Sequence, residues 1–130
     1  MNKNESALTG RRLAIIAYTG TAAFAPLRLL RRRYRHCLVL VQVPPYWVAV
    51  DSVIGRISYA VLDLQGVGEY LIALHGLGYR CQLARTQPVT VRRWRPMPLT
   101  CVEVVKRTLG MDDLGVWTPY QLFQRIKRTN

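Results

Sequence analysis

The chain has 130 residues and a mass of 14.9 kDa, enough for one domain with one core and too little for a separate cofactor-binding domain. Half of it is hydrophobic and 20% is charged, which excludes intrinsic disorder as the general state. Nineteen Lys and Arg, all but three of them Arg, against seven Asp and Glu give a net charge of +12. Such an excess calls for an anionic partner: nucleic acid, anionic lipid, an acidic cell-wall polymer or an acidic protein surface, each matched by the planar fork of arginine.

In chain order, residues 1–12 read as a flexible N-terminal segment ahead of a single domain over 13–130. The apolar run 13–24 follows Arg11 and Arg12 and runs into Ala23-Phe24-Ala25, a candidate cleavage site, which together have the outline of a secretory signal with a twin-arginine flavour. Tyr18, Thr19, Gly20 and Thr21 dilute it, so a buried strand over 13–18 and a turn is the better expectation, with the protein cytoplasmic rather than secreted. Pro26 and Arg28 prevent any stretch from reaching the roughly 20 apolar residues of a membrane span. Pro26 can start a short helix over 26–33. The β-branched runs 36–43 and 46–51 flank Pro44-Pro45 and predict a hairpin. Val67, Tyr70, Leu71 and Leu74 fall at helical spacing, so 66–76 predicts a helix stopped by glycine. Strands are expected over 79–85 and 89–94, then helices over 101–109, stopped by Gly110, and over 119–127, opened by Thr118-Pro119. The class is α+β, with an antiparallel sheet against the helix that carries Cys101.

Only two histidines, His36 and His75, and three cysteines, Cys37, Cys81 and Cys101, offer imidazole or thiol chemistry. They show no zinc-ligand spacing, and an odd cysteine count does not suit a disulfide scaffold. Thr100-Cys101-Val102-Glu103 ahead of Val104, Val105 and Leu109 has the form of a capping box. Thr100 is then the N-cap, and Cys101 lies among unpaired amides at the positive end of a helix, where a thiolate is favoured and an oxyanion can be held. Taken alone, this fits a small buried residue of an amphipathic helix as well as a nucleophile. If the hairpin turns about Pro44-Pro45, His36 faces Val53 and Leu38 faces Asp51. His36 and Asp51 then share a sheet face as diagonal neighbours, the arrangement of a base held in one tautomer. Cys37 points to the other face and Cys81 lies in a strand, so neither is expected to gain the assistance Cys101 gains. His75, in a His-Gly pair, suits a helix C-terminal cation.

The strand ending in Tyr18-Thr19-Gly20, His36 opening a strand, Asp51 on its partner, Cys101 at a helix N-terminus and the tail Trp117-Thr118-Pro119-Tyr120-Gln121-Leu122 together resemble the circularly permuted NlpC/P60 group of papain-like cysteine hydrolases, especially the small versions of bacteriophages and bacteria. The resemblance spans residues 13–126. It implies a papain-like fold and acyl transfer by a cysteine peptidase or amidase, with Cys101 as nucleophile, His36 as base, Asp51 as orienting group and Tyr18 near the oxyanion. It calls for no metal or organic cofactor. In a phage setting the implied substrate is the peptide part of peptidoglycan.

A competing class is a non-catalytic basic protein that keeps the same shell. Arg28, Arg31, Arg32, Arg33 and Arg35 adjoin Tyr34, and Arg92, Arg93 and Arg95 surround Trp94. Alternating cationic and aromatic groups of this kind suit nucleic acid, and the same arginines would suit docking to acidic neighbours in a virion or tail.

Overall fold

The computed structural model describes residues 11–20, 34–53, 56–87, 100–111, 113 and 115–129. Over these the chain is α+β, with a five-stranded antiparallel open sheet and three helices. The strands are β1 (Leu13–Thr19), β2 (His36–Val43), β3 (Tyr46–Val53), β4 (Arg56–Leu62) and β5 (Arg80–Arg85), in the order β4-β3-β2-β1-β5. The helices are α1 (Leu64–Gly76), α2 (Cys101–Leu109) and α3 (Pro119–Thr129).

Strands β1 and β2 are nearly continuous in apolar residues because both of their faces are covered. On one face Ile16, Tyr18, Cys37, Val39 and Val41 pack against Val102, Val105 and Leu109 of α2 and Leu122 and Ile126 of α3. On the other, Ala17, Leu38, Leu40 and Ala49 meet Val67 and Leu74 of α1. Residues 13–19 of the signal-like apolar run 13–24 form a sheet strand whose Ala14, Ile16 and Ala17 are fully buried, and 21–24 lie outside the described residues.

Hairpin β2-β3 turns at Pro44-Pro45 in the expected register, Val39 opposite Val50 through Val43 opposite Tyr46. The β4 edge strand has no counterpart among the predicted elements, although Ile57, Tyr59 and Val61 alternate with Arg56, Ser58 and Ala60. Its apolar set points to the face bearing α2 and α3 yet stays exposed, because those helices lie over the centre of the sheet rather than its edge.

Helix α1 starts two residues before the expected position, as Asp63 accepts a 2.6 Å bond from the Gly66 amide and so satisfies an otherwise orphaned donor. Thr100 caps α2 as expected, its hydroxyl accepting from the Glu103 amide at 3.2 Å. Helix α2 ends at Gly110, which has φ +72°, and a Cβ there would lie 3.2 Å from the Gln87 carbonyl oxygen. In α3, the Thr118 hydroxyl accepts from the Gln121 amide while Gln121 Oε1 accepts from the amides of Trp117 and Thr118, a reciprocal cap. Lys106 of α2 is fully buried. Its Nζ pairs with Glu103 at 3.2 Å and donates to the carbonyls of Asp113 and Val116 at 2.7 and 2.8 Å, tying the chain between α2 and α3 to α2. Among the described residues no helix is long and apolar enough to cross a membrane.

The predicted helix over 26–33, the strand over 89–94 and Arg31, Arg32, Arg33, Arg92, Arg93 and Arg95 lie outside the described residues, as does most of the predicted N-terminal segment.

Candidate active site

His36 opens β2 at the end of the sheet, paired with Thr19 of β1. Strand alternation places it on the same face as Leu38 and Leu40, the face that carries α1. Asp51 shares that face two residues beyond Ala49, and its Oδ1 lies 2.8 Å from His36 Nε2. The bond occupies Nε2 and leaves Nδ1 for a second partner.

That partner reaches the site from the opposite face. Helix α2 packs over Cys37, Val39 and Val41, and its first residue, Cys101, comes within hydrogen-bonding reach of His36. Thiol, imidazole and carboxylate therefore meet around the end of β2 rather than on one face. The position is part-buried: the side chain of His36 is 13% exposed and that of Asp51 30%, and Cys101 is partly open to solvent.

The surroundings favour an ion pair. Hydrogen bonding from the Cys37 thiol is the largest influence on Cys101. Burial opposes it, but His36 and the Cys37 backbone act with it, and together they bring the Cys101 thiol down to about 5. Burial works against a charged His36, yet the bonds to Asp51 and Cys101 prevail and lift the imidazole to about 9. Cys37 moves the other way, held protonated well above the ordinary thiol value, first by its bond to Cys101 and then by complete burial. Between these limits the resting pair is thiolate and imidazolium. The first turn of α2 adds amides with no intrahelical acceptor and the positive end of a short helix dipole.

The sequence-predicted residues Cys101, His36 and Asp51 are thus brought together. Tyr18 is buried in the adjoining core, where its hydroxyl donates to Gln82 Oε1 at 2.8 Å and its ring stands edge-on to Tyr34 and Phe123 at 5.4 and 5.8 Å. Burial and nearby Cys37 hold its proton firmly. His75 lies exposed in the last turn of α1.

Cys37 gains no activation, as expected, but it lies closer to the site than its sheet face implies. Cys37 does lie on the face opposite His36, but that is the face α2 covers, so Cys37 sits beside Cys101 and is part of the site. Strand parity alone could have paired it with whichever helix covers that face. Tyr70 of α1 and Tyr79, just before β5, were not singled out by the sequence. Burial first and the Asp51 carboxylate second raise both phenols above the ordinary value, and Tyr79 also feels Cys37 and Cys101. Both are partly exposed and flank the His36 side of the site.

The chain matches no protein-family model, and neither the curated proteins nor the solved structures contain a match to it.

Proposed function

We propose that the protein is a cysteine hydrolase, a peptidase or amidase acting by acyl transfer through Cys101, His36 and Asp51, with a papain-like fold similar to the permuted NlpC/P60 group. The observation that carries the proposal is the 2.8 Å His36–Asp51 bond on an imidazole that also reaches a thiol at a helix N-terminus. The Cys101 thiolate attacks the carbonyl carbon, and first-turn amides of α2 hold the oxyanion. Protonated His36 gives its proton to the leaving amine, and the carbon–nitrogen bond breaks. Neutral His36 then takes a proton from water, the resulting hydroxide attacks the acyl-enzyme, and the acid and the Cys101 thiolate are released. Asp51 keeps the ring oriented and stabilises its cationic form.

The proposed substrate is the peptide portion of peptidoglycan, in a phage-associated setting such as a virion or tail. Its acidic groups complement the +12 charge of the chain. Turnover of purified peptidoglycan and of simple amides and esters by wild type and Cys101→Ala tests the proposal. The variant should lose about 10⁴-fold or more in kcat, the scale seen when a nucleophile is removed from a catalytic unit. Turnover that survives Cys101→Ala, or no acyl adduct on Cys101 with an activated ester, overturns it.

A further inference from the structure

Acyl transfer requires one sulfur, and the site has two. Cys37 is fully buried in β2, within the core cluster against which Cys101 packs at the start of α2, and its thiol is in hydrogen-bonding reach of the Cys101 sulfur. Small oxidants in solvent meet Cys101 first, since Cys101 is partly open and Cys37 is closed off. The third cysteine cannot replace it: Cys81 pairs with Ala17 across β1 and is exposed on the sheet face opposite Cys37.

We infer that Cys37 is a resolving thiol for Cys101, so that a hydroperoxide converts the pair to an intramolecular disulfide through a sulfenic acid on Cys101. In the first step the Cys101 thiolate attacks the distal oxygen of the hydroperoxide. A sulfur–oxygen bond forms, the oxygen–oxygen bond breaks, and the alkoxide or hydroxide leaves with the proton of His36. Sulfur is oxidised and the peroxide is reduced. In the second step the Cys37 sulfur attacks the Cys101 sulfur. The sulfur–sulfur bond forms, the sulfur–oxygen bond breaks, and the Cys37 proton departs with the hydroxide as water. Two thiols and one hydroperoxide thus give one disulfide, one alcohol or water, and one further water. An external dithiol resets the pair. The reaction shares the Cys101 nucleophile with the proposed hydrolase but needs no carbonyl substrate. It would protect that nucleophile from irreversible oxidation to the sulfinic acid.

The test uses the full chain, reduced, desalted and treated with a few equivalents of hydrogen peroxide at neutral pH. Free thiols are then alkylated under denaturing conditions and the peptides mapped by mass. A Cys37–Cys101 linkage is expected, lighter by two hydrogens and reversed by dithiothreitol, with Cys81 alkylated. Cys81→Ser should give the same linkage. In Cys37→Ser the sulfenic acid should persist long enough for dimedone capture, and Cys101 sulfinic acid should rise about ten-fold over wild type at excess peroxide. Wild type that accumulates Cys101 sulfinic acid while Cys37 remains free, a linkage through Cys81, or no oxidation of Cys101 overturns the inference. Wild-type mapping decides even if Cys37→Ser does not fold. Amide hydrolysis measured on the same preparation separates the two proposals. A disulfide without hydrolysis sinks acyl transfer alone, and hydrolysis without a disulfide sinks the resolving role alone.

Discussion

Lowering the pH should shift the reactivity of this protein's thiols towards Cys101, and the size of the shift follows from the site. Cys101 is held at about 5 by Cys37 and His36, while burial places Cys81 above the ordinary 9.0. At about pH 5.5 roughly three-quarters of Cys101 is thiolate, whereas a thiol at the ordinary value is about 0.03% ionised and Cys81, raised by burial, less than that, so the ratio is at least about 2,000. At about pH 8.5 Cys101 is fully ionised and a thiol at the ordinary value about one-quarter, so the ratio to the raised Cys81 is at least about 4. The Cys101:Cys81 alkylation-rate ratio should therefore rise about 500-fold between the two conditions, because steric access and intrinsic nucleophilicity are the same in both and cancel. In absolute terms a low-pKa thiolate is the weaker nucleophile, by about 60-fold for a Brønsted slope of about 0.45 over four units. Cys81 is thus expected to gain on Cys101 in alkali and Cys101 to react first in acid. Iodoacetamide labelling quantified by peptide mass reads both rates in one sample. His36→Ala should shrink the 500-fold change without abolishing it, since Cys37 is the larger influence, and adding Cys37→Ala should remove most of what remains. A ratio that does not change with pH would refute the ion pair and the mechanism built on it.

Activity should follow a bell in pH. The acid limb lies near 5, where the Cys101 thiolate takes up a proton, and the alkaline limb near 9, where the His36 imidazolium loses one. Asp51→Asn should move the alkaline limb towards acid because it removes the negative charge that favours the charged ring, and an unmoved limb would dissociate Asp51 from the site. Lys106→Met should cost about 2–4 kcal/mol in denaturant unfolding, since it leaves the buried Glu103 carboxylate to Arg107 alone and takes a charged donor from the carbonyls of Asp113 and Val116; a loss below about 1 kcal/mol would show that the buried ammonium is not a structural tie. Gly110→Ala should cost about 1–2 kcal/mol from its left-handed backbone alone, with further loss from crowding against Gln87. A neutral outcome by the same measurement would mean that the α2 C-cap rearranges at no cost.

Much of the site was legible in the sequence because its elements are local. The capping box of Thr100 and Glu103 places Cys101 at a helix start from four consecutive residues. A two-proline turn sets the β2-β3 register, and with it the meeting of His36 and Asp51, from a span of sixteen residues. Both depend on short-range geometry, in which backbone periodicity leaves few alternatives. The capped start of α3 and the glycine stop of α2 were legible for the same reason. Alternation also marks β4, but an edge strand covered on one face only has a weaker apolar signal than β1 or β2. What only the tertiary structure decided is which helix covers which face and which distant strand closes the sheet. Placing β5 beside β1 joins residues more than sixty positions apart, and nothing within either strand specifies that choice over another partner. The role of Cys37 depends on the same decision. Parity assigns its side chain to a face, but packing of Val102, Val105 and Leu109 onto that face brings Cys101 to it, and hydrophobic burial is non-directional, so its choice of face emerges only when the whole core is assembled.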